Sequence, residues 1–95
     1  MSVISNEDAI KKDLTQKLTH ELPVLRARLG ISQADISKKI GISRQTYNSI
    51  EIKKREMSWT VFVALVAVFQ SNQETRQMLS TIDNFDKEIE NVMSI

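Results

Sequence analysis

Apolar residues recur along this chain at helical spacing almost throughout, and their phase changes mark where one helix gives way to the next. Ile10, Leu14 and Leu18 form one narrow stripe, predicting an N-terminal helix that starts near Ser5 or Asn6. Glu7 and Asp8 suit the positive end of that helix. His20 and Pro23 predict a break, because proline is tolerated in a first turn and not in a helix interior. A second helix is therefore expected to run to Leu29, with Leu22, Leu25 and Leu29 facing inward. Ile36 and Ile40 are the inward residues of a short third helix. From Trp59 to Phe69 almost no polar face remains, which predicts a helix at the buried centre of the core. Met78, Ile82, Phe85, Ile89 and Val92 then step by four, three, four and three, the spacing of a heptad seam.

Between these stripes the punctuation repeats. The chain has two glycines, Gly30 and Gly41, and each opens the tripeptide Gly-Ile-Ser. Glycine just past a helix end takes the left-handed conformation without a Cβ penalty. Serine two residues on is a favoured N-cap, so Ser32 and Ser43 each start the next helix, and Asp35 approximates a capping box with Ser32. Ser58 caps the long apolar helix, and Ser71 with Glu74 repeats the capping-box pattern at the start of the last region. Stop, turn, start, twice over, around a helix too short to stand alone, is the layout of a helix-turn-helix. On a wheel of about 100° per residue, Thr46, Tyr47 and Ile50 share one arc that can pack on a core. Arg44, Gln45, Asn48, Ser49 and Ile52 lie on the opposite side.

Composition is that of an ordinary globular chain, 41% hydrophobic and 26% charged over 95 residues, which is one small domain. With one proline, two glycines and helical spacing throughout, the fold class is all-α. The absence of cysteine excludes a disulfide framework and cysteine-based zinc or thiol chemistry. The single histidine, His20, lacks partners at ligand spacing and suits a surface or capping role. No nucleophile–base pair and no phosphate-cradling glycine loop can be assembled, so an enzyme is not expected, nor a cofactor or metal. No signal-peptide run or membrane-length apolar segment occurs, and a soluble, cytoplasmic protein is expected.

A net charge of +1 hides an asymmetry. Residues 20–70 carry eight bases against four acids, while residues 71–95 carry two against five. A basic middle suits a polyanion. Arginine can contact guanine bidentately, and glutamine or asparagine can do the same for adenine, so the outward arc of the second helix has the residue types of a base reader. Gln33 can offer its amide and the free N–H groups of a helix start to a phosphate. Lys53, Lys54 and Arg55 cluster where they would neutralise phosphates.

The segment from Leu25 to about Phe69 resembles the lambda-repressor/Cro-like helix-turn-helix family, also called the XRE family. The resemblance rests on Arg26, Gly30, Ser32, Gln33, Ile36, Gly41, Ser43, Tyr47, Ile50 and Glu51 at that family's spacing. It implies a five-helix bundle, to which this chain adds an extra N-terminal helix and a C-terminal helical extension. It implies base reading from Arg44, Gln45, Asn48 and Ser49 and a DNA-backbone contact at Gln33; Ser43 joins Lys53, Lys54 and Arg55 as a further candidate phosphate contact. It also implies an ion pair between Arg26 and Glu51. Where many members have glycine after the recognition helix, this chain has Lys53.

The expected organisation is thus an N-terminal helix packing on the core over 1–19 and a DNA-binding domain over 20–70, with the helix-turn-helix at 32–52. A helical extension over 71–95 follows. Met78, Ile82, Phe85, Ile89 and Val92 either dimerise or fold back on the domain. The expected function is sequence-specific binding of double-stranded DNA by a transcriptional regulator, on a pseudo-palindromic operator and as a homodimer. The alternative is a protein-interaction module on the same scaffold, an antitoxin or anti-repressor type with a protein partner. An interaction surface should carry exposed apolar anchors, and on the outward arc only Ile52 qualifies.

Overall fold

The computed structural model of the chain describes residues 6–95 and contains helices only among them. In chain order these are α1 (Asn6–Leu29), α2 (Gln33–Ile40), α3 (Arg44–Glu51), α4 (Trp59–Gln70), α5 (Gln73–Ser80) and α6 (Phe85–Met93). Ser5, one of the two expected starting points, lies outside the described residues. The all-α expectation holds, and none of these helices is long and apolar enough to cross a membrane.

The expected break at His20 and Pro23 does not occur. α1 runs for 24 residues with Pro23 inside it. Proline there leaves the Thr19 carbonyl without its usual donor and costs about 3 kcal/mol in a helix interior. Leu14, Leu18, Leu22 and Leu25 are all buried on one face of the continuous helix, and each such burial is worth about 2 kcal/mol. The stripe outweighs the proline, which sits exposed on the opposite side.

α1 is also the element on which the others converge, packing against α3, α4, α5 and α6. The apolar helix α4 is not buried all round: Thr60, Val63 and Ala67 face outward, with Val63 40% exposed. Length decides this. At a rise of about 1.5 Å per residue, α1 alone can span most of a molecule whose longest dimension is 44 Å. α4 contributes Phe62, Leu65 and Phe69 to a core shared with Ile36, Tyr47, Ile50 and Met57.

The C-terminal stripe is split rather than continuous. α5 ends at Ser80, a turn carries Ile82 to Asn84, and α6 begins at Phe85. Asn84 takes the left-handed conformation, φ 57°, which redirects the chain. Phe85 and Val92 then fold back into the core, Phe85 meeting Phe62 with ring centroids 5.8 Å apart. Met78, Ile82 and Ile89 are half-buried against the same core. Lys17 of α1 fixes the return, bonding Glu88 of α6, the Asp83 carbonyl and its own neighbour Asp13. Those bonds, with Asp13 foremost and Glu88 next, raise the Lys17 ammonium to a pKa of about 12.

One cap differs from expectation. α5 is capped by Asn72, whose side chain accepts from the Glu74 and Thr75 amides, rather than by Ser71. The Ser71 hydroxyl instead donates to the Val68 carbonyl at the end of α4.

Candidate nucleic-acid interface

Three serines begin α2, α3 and α4 in the same way. Ser32, Ser43 and Ser58 accept from the amides of Asp35, Thr46 and Val61, each three residues on, at 3.0, 3.0 and 3.2 Å. The stops match as well. The Gly30, Gly41 and Lys53 amides donate to the carbonyls of Ala27, Lys38 and Ile50, and the next amide reaches one residue further back. This is the Schellman arrangement, with its left-handed residue just past the helix. Gly30 and Gly41 adopt it at φ 65° and 81°.

α2 and α3 are then locked together by a polar cluster at their base. Arg26 donates from Nε and Nη2 to the two carboxylate oxygens of Glu51, at 3.1 and 2.9 Å, and from Nη1 to the Ile31 carbonyl. Gln33 Nε2 donates to Asn48 Oδ1 at 3.1 Å and lies 3.4 Å from Glu51 Oε1. One carboxylate thus fastens the end of α1, the start of α2 and the end of α3. The Tyr47 hydroxyl is buried within this cluster and finds no hydrogen bond of good geometry.

Above that base stands the outward face of α3. Arg44 and Gln45, in its first turn, are exposed, while Asn48 and Ser49 are half-buried. Beyond the helix end, Lys53, Lys54 and Arg55 are exposed, with the Lys54 and Arg55 amides both donating to the Ser49 carbonyl.

Against this geometry, the model of a family described as Helix-turn-helix matches residues 25–72, just over half of the chain. The chain belongs to this helix-turn-helix family. It is a lambda-repressor/Cro-like, XRE-type DNA-binding regulator by that membership. Comparisons with curated proteins and with solved structures find no match.

Within this helix-turn-helix protein, the loop after α3 has a defined shape despite its missing glycine. Lys53 itself takes the left-handed conformation, at φ 66°. A non-glycine residue there carries about 1–2 kcal/mol of strain, which the two Schellman bonds on either side hold in place. Arg55 turns back toward α3, with Nη1 3.4 Å from the Thr46 hydroxyl, and Thr46 also bonds Ser43 Oγ at 2.9 Å. Thr46 is accordingly half-buried rather than a core residue beside Tyr47 and Ile50. Lys53 and Lys54 have no ion-pair partner among the described residues.

Gln33 stands at the start of α2, half-buried, and its side-chain NH2 group donates to Asn48 with Glu51 3.4 Å away. The start of α2 also presents backbone donors: Ser32 takes the Asp35 amide, leaving the Gln33 and Ala34 N–H groups without intrahelical acceptors. Of the base-reading candidates, Asn48 has its carbonyl oxygen engaged by Gln33, which leaves its NH2 group as the donor still available.

Charge in the cluster is well satisfied. Burial alone would raise the Glu51 carboxyl, but the Arg26 guanidinium, with Tyr47 and Gln33, outweighs it and holds the group below the ordinary carboxylate value. Burial first, then the neighbouring Glu51 carboxylate, pushes the Tyr47 phenol well above its usual range, so it stays neutral. The Gln33–Asn48 bridge and the left-handed Lys53 were not signalled in the sequence. A hydrogen bond between two amides fifteen residues apart has no spacing signature.

Proposed function

We propose that this protein is a sequence-specific transcriptional regulator that reads double-stranded DNA through α3 and occupies a pseudo-palindromic operator as a dimer. The observation that carries this reading is the pairing of a rigid base with an exposed polar first turn. Arg26, Glu51, Gln33 and Asn48 hold α3 against α1 and α2, while Arg44 and Gln45 stand free on its outward side. A helix held in position before contact loses less entropy on binding, and the start of a recognition helix is the part that meets base edges in the major groove. Arg44, Gln45, Asn48 and Ser49 are the proposed base readers. Ser43, Lys53, Lys54, Arg55 and the backbone amides beside Gln33 are the proposed phosphate contacts.

Two-fold symmetry would set the two copies of α3 about 34 Å apart on the operator. Phe85 and Val92 are committed to the core of their own chain. The dimer contact is therefore assigned to the half-exposed remainder of the stripe, Met78, Ile82 and Ile89.

Selection of bound sequences from a random pool of duplex DNA tests this reading. A palindromic enriched motif with half-sites one helical turn apart is the expected result. A lack of enrichment would overturn it and leave the protein-interaction module.

A further inference from the structure

The loop that ends the helix-turn-helix faces a second basic strip, which lies outside the family unit. Lys11 and Lys12, in the half of α1 that precedes residue 25, line an open groove of about 700 Å³ opposite Lys53, Lys54 and Arg55. Glu56 is the one carboxylate among the described residues that line it. Lys12, Lys53 and Lys54 have no ion-pair partner among the described residues, and Lys11 has Glu7 at 3.6 Å. Five cations against one lining carboxylate give the groove a positive potential that favours an anion.

The walls say which kind of anion. The Thr15 and Thr19 hydroxyls are turned back to the carbonyls of Lys12 and Thr15 in their own helix. Trp59 is already occupied, stacked on Phe62 at 4.7 Å with the Lys11 ammonium 5.1 Å from its ring centroid. A small effector would need an enclosed site with convergent polar groups and free apolar surface. This groove is open and offers charge. Its far wall is the loop that closes α3, so it begins where the reading helix ends. Duplex DNA carries a phosphate about every 3.4 Å along each strand, a linear anion that suits two facing rows of lysines.

We infer that this groove holds a stretch of phosphodiester backbone flanking the base pairs read by α3, so that α1 lengthens the footprint on DNA. The inference rests on the DNA-reading function proposed above. α1 would then have two tasks along one helix: its buried leucines organise the core, and Lys11 and Lys12 grip a phosphate strand that carries no sequence information.

The test uses the full chain and the selected DNA site, with long flanks and with flanks trimmed to the read base pairs, over a range of salt. Wild type should lose affinity on trimming. The Lys11→Ala/Lys12→Ala variant should lose less affinity on trimming than wild type does. Its slope of log affinity against log salt should fall by about 0.9 per lysine, making its loss of affinity between 50 and 200 mM salt about tenfold smaller. Should removal of Lys11 from Trp59 disturb folding, Lys12→Ala alone, an exposed side chain without an ion pair, should still lower the slope by about 0.9. Unchanged slope and unchanged flank dependence, with Arg44→Ala still relaxing base preference, would overturn the inference and leave DNA reading intact. Failure of wild type to select any DNA would instead remove the reading on which it rests. Saturable binding of a polyglutamate peptide that Lys12→Ala abolishes, together with no flank dependence, would reassign the groove to an acidic protein.

Discussion

The Arg26 guanidinium grips both carboxylate oxygens of Glu51, joining the last turn of α1 to the last turn of α3 across twenty-five residues of chain. Glu51 is the more enclosed partner, its side chain 8% exposed against 24% for Arg26. Replacing Glu51 with Gln leaves a largely desolvated guanidinium without its counter-charge and should cost about 1–3 kcal/mol. The Glu51 carboxyl lies below its ordinary 4.5 in the fold, so its contribution is full above that value and is lost as pH falls through the lowered one. Urea unfolding of wild type and Glu51→Gln should therefore differ most near neutrality and converge under acid.

Relieving the left-handed Lys53 should stabilise the protein. Lys53→Gly removes the Cβ clash at φ 66° and should raise stability by about 0.5–1 kcal/mol after glycine's added chain entropy is discounted. The same change removes a proposed phosphate contact. Thermal melting should rise while the salt slope of DNA binding falls by about 0.9, so the two readouts move in opposite directions.

Arg44→Ala should weaken binding to the selected site by about 1–3 kcal/mol and relax preference at one base pair. Arg44 is exposed and outside the locked base of α3, so melting should not change. Unaltered base preference in a competition assay would remove Arg44 from the readout.

A charge placed at Ile89 tests the proposed dimer. Ile89→Lys should lower the sedimenting mass from two chains to one at equal concentration, with the helical circular dichroism retained. A dimer that persists would move the interface away from α6.

Much of the reading unit was legible because its signals are local. Gly30 and Gly41 stop helices through their own backbone freedom, and Ser32, Ser43 and Ser58 cap through a bond three residues long. The wheel separated Tyr47 and Ile50 from Arg44 and Gln45 for the same reason. Pro23 misled because proline's cost is local, whereas the burial of Leu14, Leu18, Leu22 and Leu25 that overrides it depends on four other helices. The heptad spacing from Met78 to Val92 was real as a count, but a turn at Asn84 that no glycine or proline announces divides it between two helices. No spacing rule links Arg26 to Glu51, twenty-five residues apart, so only the family resemblance implies that pair.

The hydrogen bond from Gln33 to Asn48 restricts how this protein could change its target. Arg44 and Gln45 are bound to nothing that holds the fold, so each can be exchanged for another side chain at small structural cost. Exchanging Asn48 costs more, because its oxygen is the acceptor that orients Gln33 at the start of α2, where Gln33 also lies beside Glu51. Of the four proposed base readers, Arg44 and Gln45 are thus free to be rewritten while Asn48 is tied to the frame, and new operator preferences should arise first at the base pairs facing Arg44 and Gln45.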